Sequence, residues 1–95
     1  MMTLPRAAMP EISYFYGICI RMDFVDHPPP HFSAEYQGHE ANVSIATGEI
    51  IVGKLPRNAA RIVREWALQH QAELSANWDR ARNAQPLKKI LGADE

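Results

Sequence analysis

The chain has 95 residues and a formal net charge of -1, enough for one domain with a modest core and no more. With 46% hydrophobic and 22% charged residues its composition is that of a globular domain, and no apolar run approaches the ~18–20 residues needed to span a bilayer. The first eight residues lack the apolar centre of a secretory signal and the lone Cys19 excludes an intramolecular disulfide, so a cytoplasmic protein is expected.

Residues 1–8 read as a disordered leader, residues 9–91 as a single domain and residues 92–95 as a frayed tail. Tyr14 to Phe24 is rich in aromatic and β-branched residues and reads as one strand, with Ile18, Ile20, Met22 and Phe24 on its apolar face. Cys19 falls inside this run and is expected to be a buried, inert thiol.

Phe32 to Tyr36 reads as a second strand, and Gln37-Gly38 as the tight turn that leads to a third. That turn sets Tyr36 opposite His39, Ala34 opposite Ala41 and Phe32 opposite Val43. The interleaved pairs, Glu35 with Glu40, Ser33 with Asn42 and His31 with Ser44, are all polar. One register therefore sorts both strands into a core face and a wet face. Glu35 opposite Glu40 is unfavourable unless a cation sits beside them.

Thr47-Gly48 reads as the next turn, pairing Ile45 with Ile50 and Val43 with Val52, and Leu55-Pro56 ends the sheet. From Arg57 to Asn83 the apolar residues, among them Ile62, Val63, Trp66, Leu74 and Trp78, recur with a helical period. One straight helix of that length would be about 40 Å long, too long for a domain about 25 Å across. A break near Gln69–Gln71 is therefore expected, giving two helices, and Leu87, Ile90 and Leu91 are expected to dock beyond Pro86. The fold class is thus α+β: a four-stranded antiparallel meander with two C-terminal helices packed on one face.

The run Asp26-His27-Pro28-Pro29-Pro30-His31 stands out chemically. Three prolines fix φ and favour a stiff polyproline II rod. Such a rod would hold its flanking side chains in place, as a preorganised site requires. His27 and His31 are weak metal candidates, because four steps of the rod cover about 12 Å. A shared ion would need a further ligand, with His39, Glu35 or Asp23 available. The candidate functional surface is Asp26, His27, His31, Ser33 and Glu35, with both imidazoles expected in one concavity. A phosphate loop, a nucleophile elbow, a CxxC pair and an HExxH motif are all missing from the sequence, so catalytic residues are not assigned and no cofactor is expected.

Charge is unevenly divided. Residues 1–53 carry two basic residues against six acidic ones, and residues 54–89 carry eight basic against three acidic. Arg57, Arg61 and Arg64 share one helix face and are candidate nucleic-acid contacts.

Several of these segments carry a resemblance. Met9-Pro10-Glu11-Ile12-Ser13, Phe15-Tyr16-Gly17-Ile18, Asp26-His27 with Pro29-Pro30-His31-Phe32, Gly53-Lys54-Leu55-Pro56, Glu65-Trp66 and Asn77-Trp78 resemble a small bacterial family catalogued only as a domain of unknown function. Its signature reads roughly D-H-x-P-P-H-F-H, and the resemblance covers about residues 9–90. It implies that Met9 is the original start. It also implies a small protein partner encoded nearby, because members are often encoded beside another small uncharacterised protein, sometimes in operons that resemble toxin–antitoxin pairs. Ser33 stands where the signature has its last histidine. Two histidines there would lie ~6.6 Å apart on one strand face, and this chain lacks that pair.

The sequence therefore points to a cytoplasmic binding or regulatory module acting with a protein or a nucleic acid. The alternative is a metal-dependent or acid–base enzyme centred on Asp26, His27 and His31.

Overall fold

A computed structural model describes residues 9–24 and 27–95. The segment expected to be a leader, residues 1–8, and the candidate site residue Asp26 lie outside the described residues. The elements are β1 (Glu11–Phe15), β2 (Ile18–Arg21), β3 (His31–Tyr36), β4 (His39–Ser44), β5 (Ile50–Gly53), α1 (Arg57–Gln69) and α2 (Gln71–Arg82). The strands form one antiparallel meander in the order β1-β2-β3-β4-β5. Among the described residues, no helix is long and apolar enough to cross a membrane.

The fold is α+β with two C-terminal helices as expected, but the sheet has five strands, not four. The extra strand comes from a turn inside the first apolar run. Tyr16 and Gly17 both have positive φ, 51° and 78°, the backbone of a two-residue hairpin turn whose twist suits the flanking strands. Tyr16 is aromatic, so composition hides the turn. Phe15 pairs with Ile18 across it, and Ile12 and Phe15 join the core.

The β3–β4 register is the one that alternation dictates, from His31 opposite Ser44 to Tyr36 opposite His39. Phe32, Ala34, Ala41 and Val43 are buried. The β4–β5 register departs from expectation. The loop is wider than Thr47-Gly48, since the Ser44 amide donates to the Glu49 carbonyl at 2.9 Å. A bulge between Asn42 and Val43 then sets Val43 opposite Ile50 and Asn42 opposite Val52. Such an irregularity redirects the side chains beyond it. Val52 accordingly leaves the core face and is 62% exposed. Gly53 ends the strand with φ 87°, and a Cβ there would collide with the Glu40 carbonyl oxygen.

The helices cover the apolar face. Ala59, Val63, Trp66 and Ala67 of α1 and Leu74, Trp78 and Ala81 of α2 are buried, each set at the spacing of one helix face. The break falls at His70, as length requires, and the side chain of Gln71 donates to the carbonyls of Ile45 and Ala46 at 3.0 and 2.8 Å. Beyond α2 the tail returns to the sheet. The fully buried Asn77 donates to the Lys88 carbonyl and accepts from the Lys88 amide, at 2.8 and 2.9 Å. The Ile90 amide then donates to the Ile12 carbonyl and the Ser13 hydroxyl to the Ile90 carbonyl, both at 2.8 Å.

Trp66 joins these parts. Its ring lies 5.0 Å from that of Phe15 and 5.7 Å from that of Phe32, and its indole N–H donates to the Leu91 carbonyl at 2.8 Å. Trp66→Ala is expected to cost ~3–5 kcal/mol in denaturant unfolding. A loss below about 1 kcal/mol would mean that the indole is not packed as described.

Candidate functional site

The sheet face away from the helices carries the polar side chains of β2, β3 and β4. Side chains alternate along a strand, so burying Ile18, Ile20, Phe32 and Ala34 turns Cys19, Arg21, Ser33 and Glu35 outward. Glu35 lies directly opposite Glu40, as the sequence indicates. The cation that this pairing calls for is supplied from β2. Arg21 Nε donates to Glu35 Oε1 at 3.0 Å, with the two side chains 18% and 34% exposed. Arg21 also donates to the Met9 carbonyl at 3.2 Å. Glu40 takes a longer bond, 3.4 Å, from the hydroxyl of the buried Ser33. The two carboxylates are thus divided between different donors.

Cys19 belongs to this face and not to the core. It is half-buried, and its thiol donates to Glu11 Oε1 at 3.3 Å. Burial, followed by that hydrogen bond, pushes its pKa up from an ordinary 9.0 to about 11. Both causes favour the neutral thiol. Burial, the cause expected from the sequence, is the larger of the two, and the Glu11 carboxylate adds to it at the edge of the polar face.

The proline–histidine segment is not the straight rod that three prolines suggest. The chain bends at Pro28 and Pro29, whose peptide bond is cis. His27 and His31 nonetheless meet in one concavity of about 200 Å³, lined also by Pro28, Pro29, Asn42, Ile51 and Val52. His27 is exposed. His31 is 8% exposed, and its Nδ1 donates to the Pro29 carbonyl at 2.7 Å. The His31 ring also packs against Trp78 of α2, with centroids 5.3 Å apart. The site thus joins two imidazoles to a wall of proline, isoleucine and valine.

The other candidates do not converge on it. Ser33 and Asp23 line a neighbouring concavity of about 370 Å³ with Glu40, Asn42 and Val52. Glu35 lies four residues along β3 from His31, roughly 13 Å at strand rise. His39 pairs with Tyr36 at the opposite end of that strand. Among the described residues, no group of three His, Cys, Asp or Glu side chains is placed to hold a metal ion.

The arginine stripe is present but not bare. Arg57, Arg61 and Arg64 are exposed on α1. Arg61 pairs with Glu65 at 3.4 Å and Arg64 with Glu49 at 3.0 Å. Ile51 and Val52, by contrast, are site residues that sequence reasoning misses. Their position depends on the bulge, and no residue of β5 announces it.

Residues 17–79 match the model of a family described as a domain of unknown function, DUF4160. The matched stretch runs from the β1–β2 turn through most of α2 and includes the whole proline–histidine segment. No curated protein and no solved structure matches the chain.

The state of Cys19 is open to measurement. Iodoacetamide at pH 8 should alkylate it about one hundred times more slowly in the native chain than in urea, because only the thiolate reacts. The same shift links to stability. The folded chain holds this proton up to about 11 while the unfolded chain releases it near 9.0, so stability should fall as pH rises through that window. Native and denatured rates that agree at pH 8 would place the thiol in open solvent.

Proposed function

We propose, for a chain that belongs to the DUF4160 family, that it is a non-catalytic module that binds a partner protein through the His27–His31 concavity. One observation carries this reading. The two imidazoles lie in a recess lined otherwise by Pro28, Pro29, Ile51, Val52 and Asn42. Apolar walls with a few convergent polar groups suit a protein segment. Among the described residues, Ser33 and Asp23 line a neighbouring concavity, His39 pairs with the far end of β3, and no group of three His, Cys, Asp or Glu side chains is placed to hold a metal ion.

A protein fits better than a nucleic acid. Arg61 and Arg64 have carboxylate partners at 3.4 and 3.0 Å, and paired arginines release fewer counterions from a phosphate backbone. The reading keeps the finer expectations of the resemblance: a bacterial, cytoplasmic protein whose partner is a small protein encoded beside it, in an operon of the toxin–antitoxin kind.

Purification of the untagged chain from its native cell tests this. A stoichiometric protein is expected to stay with the wild type at low salt and to be lost from the double variant His27→Asp, Val52→Asp. Recovery of the wild type alone would overturn the reading. So would a DNA or RNA mobility shift that disappears between about 50 and 200 mM salt and in Arg57→Glu.

A further inference from the structure

The two edges of the sheet are treated differently. The β1 edge is covered by the tail, through the Ile90 amide on the Ile12 carbonyl and the Ser13 hydroxyl on the Ile90 carbonyl. Among the described residues, nothing pairs with β5 on its far side, since β5 ends the strand order. An end strand presents unpaired backbone donors and acceptors. Proteins discourage pairing there with short, bulged strands and with charges at the strand centre. β5 is short and next to a bulge, but its centre is Ile51 and Val52, 44% and 62% exposed.

We infer that β5 is the docking edge for an extended, carboxylate-bearing segment of the partner protein, which adds to the sheet as a sixth strand. This rests on the binding reading above and names how the partner is held. Main-chain hydrogen bonds would supply affinity, and alternate side chains of the added strand would reach the recess beside Val52, His27 and Pro29. The charge preference comes from the end of β5. Lys54 follows the last residue of β5, Arg57 opens α1 three residues later, and both are exposed. Among the described residues, neither has a carboxylate within ion-pair distance, unlike Arg21, Arg61, Arg64 and Lys89. Acidic residues flanking the added strand would meet these two cations.

A second copy of this chain suits the edge less well. Four residues of β5 extend about 13 Å, and pairing two such strands buries much less than the about 1,000 Å² expected of a stable interface. A flexible segment that also fills the adjoining recess is not limited in that way.

The test uses the full ¹⁵N-labelled chain and two synthetic peptides. Both alternate threonine and valine over six residues. One ends in two glutamates and the other in two lysines. The acidic peptide is expected to shift the β5 amides and slow their hydrogen exchange, and the basic peptide to bind about tenfold more weakly. The double variant Lys54→Glu, Arg57→Glu, whose fold the same spectra verify, should reverse that preference. Unmoved β5 amides, equal affinity for the two peptides, or sedimentation of the free chain as a β5-dependent dimer would overturn the inference. If a partner co-purifies while the β5 amides stay unmoved by it and by the peptides, the edge assignment falls and the binding reading stands. If the acidic peptide seats on β5 but the native cell yields no partner, the binding reading falls and the edge retains its peptide preference.

Discussion

The packing of Trp66 is the contact on which the rest of the structure depends. Its ring meets Phe15 of β1 and Phe32 of β3, so one side chain spans the first three strands of the sheet. It also lies 5.3 Å from the ring of His70, the residue at which the helices part. Its N–H is spent on the carbonyl of Leu91 in the tail. A buried indole contributes a large apolar surface but needs a partner for its one donor. Here that need recruits the segment beyond α2. Trp78 works differently: it packs against His31, and its own Nε1 is buried without a hydrogen-bond partner among the described residues. One tryptophan organises the core, while the other packs against a histidine ring that lines the recess.

The outer sheet face is settled mostly within itself. Arg21 answers Glu35, Ser33 reaches Glu40, and Glu11 holds both the Cys19 thiol and the Lys89 ammonium. A face whose charges are already engaged costs more to desolvate than it returns to a ligand. The recess beside it differs because its walls are proline and branched aliphatics. This contrast, more than any titratable group, is the support for the binding reading proposed above.

The sequence was most readable where alternation and burial agreed. The β3–β4 hairpin is specified twice, by an apolar set and by a polar set that only one register satisfies, and that register is present. The helix break was readable from length alone, although no glycine or proline marks it. The β1–β2 turn was not, because Tyr16 adopts the left-handed conformation usually given to glycine or asparagine. The β4–β5 bulge was not either. It depends on how the wide loop from Ser44 to Glu49 closes, a three-dimensional fit with no local residue signature. For the site, the proline–histidine segment was conspicuous and the meeting of its two imidazoles could be anticipated. The opposite wall of the recess could not, since Val52 looked like a core residue until the register moved.

The tail that fastens to β1 also sets a limit on size. A sheet with two open edges can be extended at both ends without stopping, which is the geometry of a fibre. Here Ile90 occupies the hydrogen-bonding position beside Ile12, so among the described residues the open edge is that of β5. A strand added at β5 would pair the one edge that the described residues leave open. A strand that joined this sheet would therefore do so beside β5, while the β1 side of the molecule stays closed by its own tail.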